Sequence, residues 1–305
     1  MVDLVRGLIH GRWRAAALDA ALRLGLPELL DGEALGAAEI AGRVGADEDG
    51  TRRLLRLLAA LGLLASSDGG ERFRGTEALR LLRADHPRTQ RRDALHTLSG
   101  ATRAAWDGLE RAVREGPRAA GGLDPDASLR AYRAGVAAHN AGALLAAHPF
   151  PDEGVVVMVG ADSGPALEAV LRAHPGLRGA VADDPRGPIP AGADVYVLLH
   201  ALHDRRDEEV PGILAGIAGV MPPGAALVLL AAERREVGTT LLPAYLDVHA
   251  LVTTGGRERT AEEHRALLTA AGLRVTSAAH PETRPGICIV TATKNPPPAG
   301  EGAIS

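Results

Sequence analysis

The sequence predicts an α/β protein in which a helical N-terminal half precedes a larger domain built on a mostly parallel sheet. Apolar segments and helical patterns alternate through the second half, which is typical of a parallel sheet with helices on both faces. In the first half, apolar residues recur at helical spacing instead. The predicted strands lie near 154–159, 179–183, 194–199, 225–232, 273–279 and 286–293, and the helices between them near 164–174, 207–220, 239–253 and 261–271.

The amino-acid composition argues against several classes of protein. With 305 residues, 46% of them apolar, the chain can bury a sizeable core. The formal net charge of −4 argues against a general electrostatic role on nucleic acid or membranes. No apolar run reaches transmembrane length and no signal-peptide pattern is present, so we expect a cytoplasmic protein. Cys288 lies in a strand pattern and is the only cysteine, so we expect a core thiol, no disulfide within the chain and no metal site.

The N-terminal segment, 1–95, has the element order of a winged helix. The predicted elements are helix 3–24, helix 37–44, a helix capped by Asp47 or Asp49 and ended by Gly62, hairpin 63–74, and a short helix capped by Thr76. Arg52, Arg53 and Arg56 lie on the helix that would enter a DNA groove. Because the chain is acidic overall and continues into an enzyme-like half, we interpret these arginines as a solvated face. The winged helix then serves dimerisation.

A helical segment, 96–150, connects the two halves. Residues 87–116 predict one or two helices that carry Trp106, and the loop 117–127 follows. The helix predicted over 128–147 carries His139 and Asn140, and Pro149-Phe150-Pro151 ends it. The larger domain then occupies 151–294, and the Pro-rich and Gly-rich tail, 295–305, is predicted to be disordered.

The first strand of the larger domain runs into a glycine turn, Gly160-Ala161-Asp162-Ser163-Gly164. The next strand ends at Asp183. A strand, glycine turn, helix and second strand ending in a carboxylate predict the first half of a Rossmann-type nucleotide site. Asp162 stands at the middle glycine of the pattern, and Met158 stands where an acid would help to anchor a ligand amine. The sequence therefore indicates an inherited site that has been altered.

A second polar segment follows the strand at 194–199 and contains His200, His203 and Asp207. Loops at the carboxyl edge of a parallel sheet bind ligands, and a histidine there suits acid–base chemistry near neutral pH. By position alone, a histidine that only caps the following helix is an equal alternative. Further on, Thr260 and Glu263 predict a helix capping box, which leaves Glu258 free to face a pocket.

Taken together, these motifs resemble the dimeric small-molecule O-methyltransferases of the caffeate and hydroxyindole type, many of which act in bacterial natural-product pathways. The resemblance covers nearly the whole chain and rests on Leu202-His203-Asp204, Met221-Pro222-Pro223-Gly224 and Gly255-Gly256-Arg257-Glu258-Arg259-Thr260. It implies that His203 is the general base on a substrate hydroxyl and that Glu258 holds this histidine. It also implies that Asp183 corresponds to the acid that binds the ribose of S-adenosylmethionine.

The chain departs from this family at several positions. Met158, Ala161 and Asp162 replace an acid and two glycines, Arg205 replaces a tryptophan, and Ala231 replaces a second glutamate. One short loop, 184–192, stands where the family inserts a helix and a further strand that cover the adenine. We therefore expect a class I methyltransferase-like Rossmann domain that lacks the third strand region.

From these departures we expect an enzyme that no longer methylates and that needs no cofactor. It would act on a small molecule by acid–base chemistry, such as cyclisation, isomerisation or elimination. The candidate residues are His203, Glu258 and Asp207 for catalysis, His249, Asn140, His139, Trp106 and Tyr245 for substrate binding, and Gly160, Asp162, Gly164 and Asp183 as a vestigial cofactor site.

Two alternatives to this expectation stay open. The first is a working O-methyltransferase with a shortened S-adenosylmethionine site. The second is a non-catalytic dimerisation partner or winged-helix regulator. As partners we expect a second copy of the chain, which would form a homodimer, and a small-molecule substrate, and neither nucleic acid nor membrane.

Overall fold

The computed structural model describes residues 1–120, 127–234, 241–282 and 285–295. The chain forms two compact units, Met1–Arg103 and Ala104–Ser305. Parts of three sequence predictions lie outside the described residues: 121–126 of the predicted loop, 239–240 of the predicted helix at 239–253, and 296–305 of the predicted tail. No helix in the described ranges combines the length and the apolar character needed to span a membrane.

The first unit is a helical domain with a small antiparallel sheet of order β1-β3-β2. Its helices are α1 (Val2–Ile9), α2 (Gly11–Arg23), α3 (Leu26–Leu29), α4 (Ala37–Val44), α5 (Glu48–Ala60), α6 (Glu77–Arg80) and α7 (Arg91–Thr97), and its strands are β1 (Leu35–Gly36), β2 (Leu64–Ser67) and β3 (Arg72–Gly75). Leu55, Leu58 and Phe73 are fully buried at its centre. The helix–hairpin order of a winged helix is thus present.

Two local details differ from the sequence prediction. The helix predicted over 3–24 is interrupted at His10, which lies between Gly7 and Gly11 in a stretch of low helix propensity. Thr76 does not cap the helix it precedes, because its hydroxyl donates to the carbonyl oxygens of Gly62 and Leu63. The cap at Asp47 is present, with the Gly50 amide donating to its carboxylate at 2.8 Å.

Helix α1 buries none of its side chains within the chain. Leu4 and Leu8 are 67% and 69% exposed, and Trp13 at the start of α2 is 65% exposed. Contiguous exposed apolar side chains of this kind mark interaction surfaces.

The second unit contains a six-stranded sheet with helices on both faces. Its strands are β4 (Glu153–Val159), β5 (Gly176–Ala182), β6 (Val195–Leu199), β7 (Ala226–Ala232), β8 (Leu273–Ala279) and β9 (Ile287–Lys294). Its helices are α8 (Gly100–Asp107), which contains the boundary between the units, α9 (Leu109–Glu115), α10 (Ala127–Ala147), α11 (Gly164–Ala173), α12 (Val210–Val220), α13 (Leu241–Thr253) and α14 (Ala261–Ala270). The segment predicted as one or two helices over 87–116 divides into α7, α8 and α9.

The strand order is β5-β4-β6-β7-β9-β8, with β4 to β7 parallel to one another and β9 antiparallel to both of its neighbours. Alternate residues of the central strands enter two cores. Tyr196 and Leu198 pack on one face, and Met158 and Val197 pack on the other. The mostly parallel sheet predicted from the alternation of strands and helices is confirmed.

Residues 183–194, all of which the structure describes, join β5 to β6 without a further strand, so β5 lies at the sheet edge. The buried Tyr196 anchors this connection: its hydroxyl donates to the Pro190 carbonyl at 2.9 Å and accepts from the Ala193 amide at 3.1 Å. A groove of about 620 Å³ lies between the connection and α12, and Arg186, Ile189, Glu209 and Ile213 are among its lining residues. The predicted loss of the third strand region is confirmed.

His264 on α14 gives the second unit a pH-dependent stability. Its side chain is buried, and neither ring nitrogen has a hydrogen-bond partner among the described residues. Burial lowers the pKa of His264 to about 4. Because an unfolded histidine titrates near pH ~6.5, the unfolded chain binds this proton more tightly, and the free energy of unfolding falls as the pH drops from 6.5 towards 4.

We therefore expect His264 to cost about 2 kcal/mol of stability between pH 7 and pH 5. Urea unfolding at the two pH values measures this loss, and the His264→Leu variant should lose about that much less than the wild type. An equal loss in both proteins would contradict the assignment, since all other titrating groups are shared.

Candidate active site

The candidate site lies at the carboxyl edge of the sheet, where β4, β5 and β6 end side by side. The register pairs Val159 of β4 with Ala182 of β5 and with Leu198 of β6. The residues that follow these strands are the glycine turn, Asp183 and the segment from His200 to Asp207. Three segments that are distant in sequence thus begin at one edge of the sheet.

The glycine turn approaches β6 too closely for a side chain at its first position. Gly160 has φ +137, and a Cβ there would lie 2.8 Å from the Leu199 carbonyl oxygen. Asp162 has φ +60, a left-handed conformation that aspartate adopts more readily than most residues. Asp162 therefore has a backbone conformation that is usual for glycine, although the glycine of the family pattern is absent.

The side chains of Ser163 and Met158, which lie in and just before the glycine turn, are both buried. The Ser163 hydroxyl is buried at the start of α11, and it has no hydrogen-bond partner among the described residues. A buried hydroxyl of this kind is available to a ligand, and sequence reasoning missed it. The Met158 side chain, which replaces an acid of the family, is fully buried in a core cluster.

An ion-pair network ties the short connection to the segment that carries His203. Asp184 accepts from Arg186 Nε and Nη2 at 3.1 and 2.9 Å, and Arg205 Nη2 lies 3.5 Å from Asp184. The hydrogen bond from the Arg186 side chain lowers the pKa of the Asp184 carboxyl. Arg205, which stands where the family has tryptophan, thus joins the ends of β5 and β6.

His203 is half-buried after β6, and Glu258 is buried nearby, with 3% of its surface exposed. His203 Nδ1 is buried and has no hydrogen-bond partner among the described residues, so this nitrogen does not bond to Glu258. Burial raises the pKa of the Glu258 carboxyl, and a positive charge on His203 acts in the opposite direction. The Glu258 backbone amide donates instead to Asp247 Oδ1 at 2.9 Å. The interaction between His203 and Glu258 is therefore electrostatic.

The assignment of Asp207 as a catalytic group is corrected by its surroundings. Its side chain is 59% exposed, and its Oδ1 accepts from Arg257 Nε at 3.0 Å and from Arg259 Nη2 at 2.8 Å. Partial burial raises the pKa of Asp207, but hydrogen bonds from these arginines outweigh it and leave the pKa below the ordinary value. The Asp207 carboxylate therefore forms ion pairs with Arg257 and Arg259 and has a structural role.

Asn140 and His200 form a contact that the sequence did not predict. Asn140 on α10 is fully buried, and its Nδ2 lies 2.7 Å from His200 Nε2. His200 has φ +51, a conformation that non-glycine residues rarely adopt and that recurs at functional sites. His139, the neighbour of Asn140, is exposed.

Three of the predicted substrate-binding residues come together on α8 and α13. Trp106 Nε1 donates to His249 Nδ1 at 3.2 Å, with the two rings stacked at a centroid distance of 6.5 Å. The Tyr245 ring meets Trp106 edge-on at 6.3 Å. These rings form an aromatic surface within a chain that has 2% aromatic residues.

Comparisons with known proteins match both halves of the chain. The family model of the O-methyltransferase dimerisation domain matches residues 7–85, and that of the O-methyltransferase domain matches residues 182–274. The mitomycin biosynthesis 6-O-methyltransferase of Streptomyces lavendulae is 33% identical over 90% of this chain and 89% of its own length.

Solved structures show the same likeness. The structure of the mitomycin 7-O-methyltransferase MmcR has a TM-score of 0.85 and 29% identity, covering 96% of this chain and 97% of its own. CalO1, a methyltransferase in calicheamicin biosynthesis solved in its S-adenosylhomocysteine-bound form, has a TM-score of 0.75 and 28% identity, covering 96% of this chain and 98% of its own.

These findings overturn two expectations. The expectation of an enzyme that has lost methylation is wrong, because the relatives are named as methyltransferases. The expectation that no cofactor is needed is also wrong, since CalO1 is bound to the demethylated product of S-adenosylmethionine. The chain belongs to the O-methyltransferase family and carries that family's dimerisation domain ahead of its O-methyltransferase domain.

Proposed function

We propose that this chain is an S-adenosylmethionine-dependent O-methyltransferase that acts on a hydroxyl group of a small natural product. One observation carries the proposal. The glycine turn after β4 and His203 after β6 leave adjacent strands at the same edge of the sheet. This adjacency supports a cofactor cradle and a general base that serve one substrate.

The residues at this edge fit the cofactor. Gly160 lets the turn pack against the end of β6, where a Cβ would meet the Leu199 carbonyl oxygen, and the buried Ser163 hydroxyl offers a hydrogen bond to the methionine part. Asp183 follows β5 at the position from which a carboxylate takes ribose hydroxyls. When bound, S-adenosylmethionine supplies an electrophilic methyl group.

The chain's own residues supply the proton transfer. His203 accepts the proton of the substrate hydroxyl, which raises the nucleophilicity of the oxygen. Glu258, buried beside it, stabilises the imidazolium that forms, because an opposite charge in a poorly solvated place favours the charged form. Trp106, His249 and Tyr245 offer an aromatic surface against which a flat acceptor ring packs.

Calorimetric titration with S-adenosylhomocysteine tests the cofactor part of the proposal. We expect the wild type to bind it and Gly160→Ala to bind about 10-fold or more weakly, since a strained backbone costs about 1–3 kcal/mol. Gly142→Ala on α10 is the control, because a Cβ there meets nothing within 4 Å. A wild type that binds no S-adenosylhomocysteine would refute the proposal.

We also propose that the chain is a homodimer that uses the exposed face of α1. Leu8→Asp should convert the dimer to monomer in light scattering, because a carboxylate would be buried in an apolar interface. Val113→Asp is the control, since Val113 on α9 is equally apolar and 68% exposed. A monomeric wild type at micromolar concentration would exclude the dimer.

A further inference from the structure

Arg259 is the largest fully buried side chain described, with 1% of its surface exposed. Its Nη1 donates to the Leu202 carbonyl at 2.8 Å, and its Nη2 donates to the Arg205 carbonyl at 3.1 Å and to Asp207 Oδ1 at 2.8 Å. One guanidinium therefore holds three acceptors of the segment that contains His203.

These contacts bracket His203. The Leu202 and Arg205 carbonyls stand immediately before and after the dipeptide His203-Asp204. From the other side, Gly256 packs so closely that a Cβ there would lie 2.1 Å from the His203 carbonyl oxygen. Arg259 itself is fixed, because the Arg234 amide donates to its carbonyl at 3.2 Å. The backbone of His203 is thus held by Gly256 and Arg259, which lie within two residues of Glu258 in sequence.

A contribution to the stability of the fold does not by itself explain why the Arg259 side chain is buried. Removing a guanidinium from water is costly, and its one ionic partner in the described part of the chain, Asp207, is mostly exposed. Arg257 makes the same kind of contact with Asp207 at 3.0 Å, yet it is 39% exposed, and the structure gives it no contact with a carbonyl of the segment. Arg259 differs from Arg257 because it donates hydrogen bonds to the two backbone carbonyls that flank the His203-Asp204 dipeptide.

We propose that Arg259 is a positioning residue that sets where the His203 imidazole lies relative to Glu258. This proposal rests on the proposed function, in which His203 is the base and Glu258 stabilises its charged form. Without the hydrogen bonds from the Arg259 guanidinium, the segment that contains His203 shifts, and the His203 imidazole moves away from the Glu258 carboxylate. The carboxylate then stabilises the imidazolium less, and misplacement of a reacting group by ~1 Å can cost about 10²-fold in rate.

The sharpest variant is Arg259→Lys, which keeps the positive charge but cannot serve three acceptors. NMR spectra of the His203 imidazole report its surroundings without any need for turnover. We expect Arg259→Lys to change the chemical shifts of the His203 imidazole, to lower kcat by about 10-fold or more, and to leave S-adenosylhomocysteine affinity within about twofold. Added guanidinium ion should restore part of the activity of Arg259→Ala.

Arg257→Met is the matched control and should leave the His203 chemical shifts and kcat unchanged. A folded Arg259→Lys protein with unchanged His203 chemical shifts would overturn the proposal. So would parallel losses of melting temperature, cofactor affinity and kcat, which would show a structural role only. If the wild type transfers no methyl group, the proposed function fails, and the His203 spectrum of Arg259→Lys still decides the positioning claim.

Discussion

Replacing His203 with alanine is expected to lower kcat by about 10²–10⁴-fold, the range that general acid–base catalysis contributes. The variant loses the imidazole that follows β6 and interacts electrostatically with the buried Glu258 carboxyl. Steady-state kinetics with a methyl acceptor measures the loss, and calorimetry with S-adenosylhomocysteine checks that the cofactor still binds.

His139→Ala is the matched control for this variant. His139 is exposed on α10, and its replacement should leave kcat within about twofold, as surface substitutions do. Full activity in His203→Ala would show that another group takes the proton, and His200, whose ring lies 6.2 Å from that of His203, would be the first to examine.

Gly256→Ala is expected to have an effect of similar size by a different route. A Cβ at this position would lie 2.1 Å from the His203 carbonyl oxygen and 2.9 Å from the Arg205 amide nitrogen. Both are backbone atoms and cannot swing aside, so the segment with His203 must shift by about 1 Å. We expect kcat to fall by about 10²-fold or more from such a displacement.

The control for this variant is Gly219→Ala on α12, where a Cβ meets nothing within 4 Å. Methyl transfer and thermal melting are measured on both proteins. Unchanged kcat in a folded Gly256→Ala protein would contradict the close packing on which the site geometry rests.

The strands and most helices could be predicted because their signals are local. Buried parallel strands read as continuous apolar runs, and the capping box of Thr260 and Glu263 is a contact between residues three apart. The break at His10 was missed because the apolar spacing continues through it. The low helix propensity of Gly7 and Gly11 was the available signal.

The site was harder to predict because its contacts join distant residues. Asp207 was taken for a catalytic residue because the sequence does not show its partners, Arg257 and Arg259, which lie 50 and 52 residues further along the chain. Arg259 carried no signal beyond its place beside Glu258. The contact of Asn140 with His200 spans 60 residues, and neither local pattern indicated it.

The sequence analysis wrongly expected no cofactor because it interpreted each departure from the family pattern as a loss of S-adenosylmethionine binding. Met158 is a core residue, and Asp162 adopts the left-handed conformation in which a glycine would serve. The short connection after Asp183 is anchored by Tyr196 and bordered by a groove. Replacements that look damaging in sequence can thus leave the backbone of a binding turn intact.

The most direct test is methyl transfer itself. The purified protein is incubated with S-adenosylmethionine that carries a trideuteromethyl group and with a panel of hydroxylated aromatic natural products, and products are analysed by mass spectrometry. The account predicts an O-methylated product that carries the labelled group and is lost in His203→Ala. If no acceptor becomes labelled, while an acceptor is isomerised or cyclised without the cofactor, the O-methyltransferase assignment is contradicted.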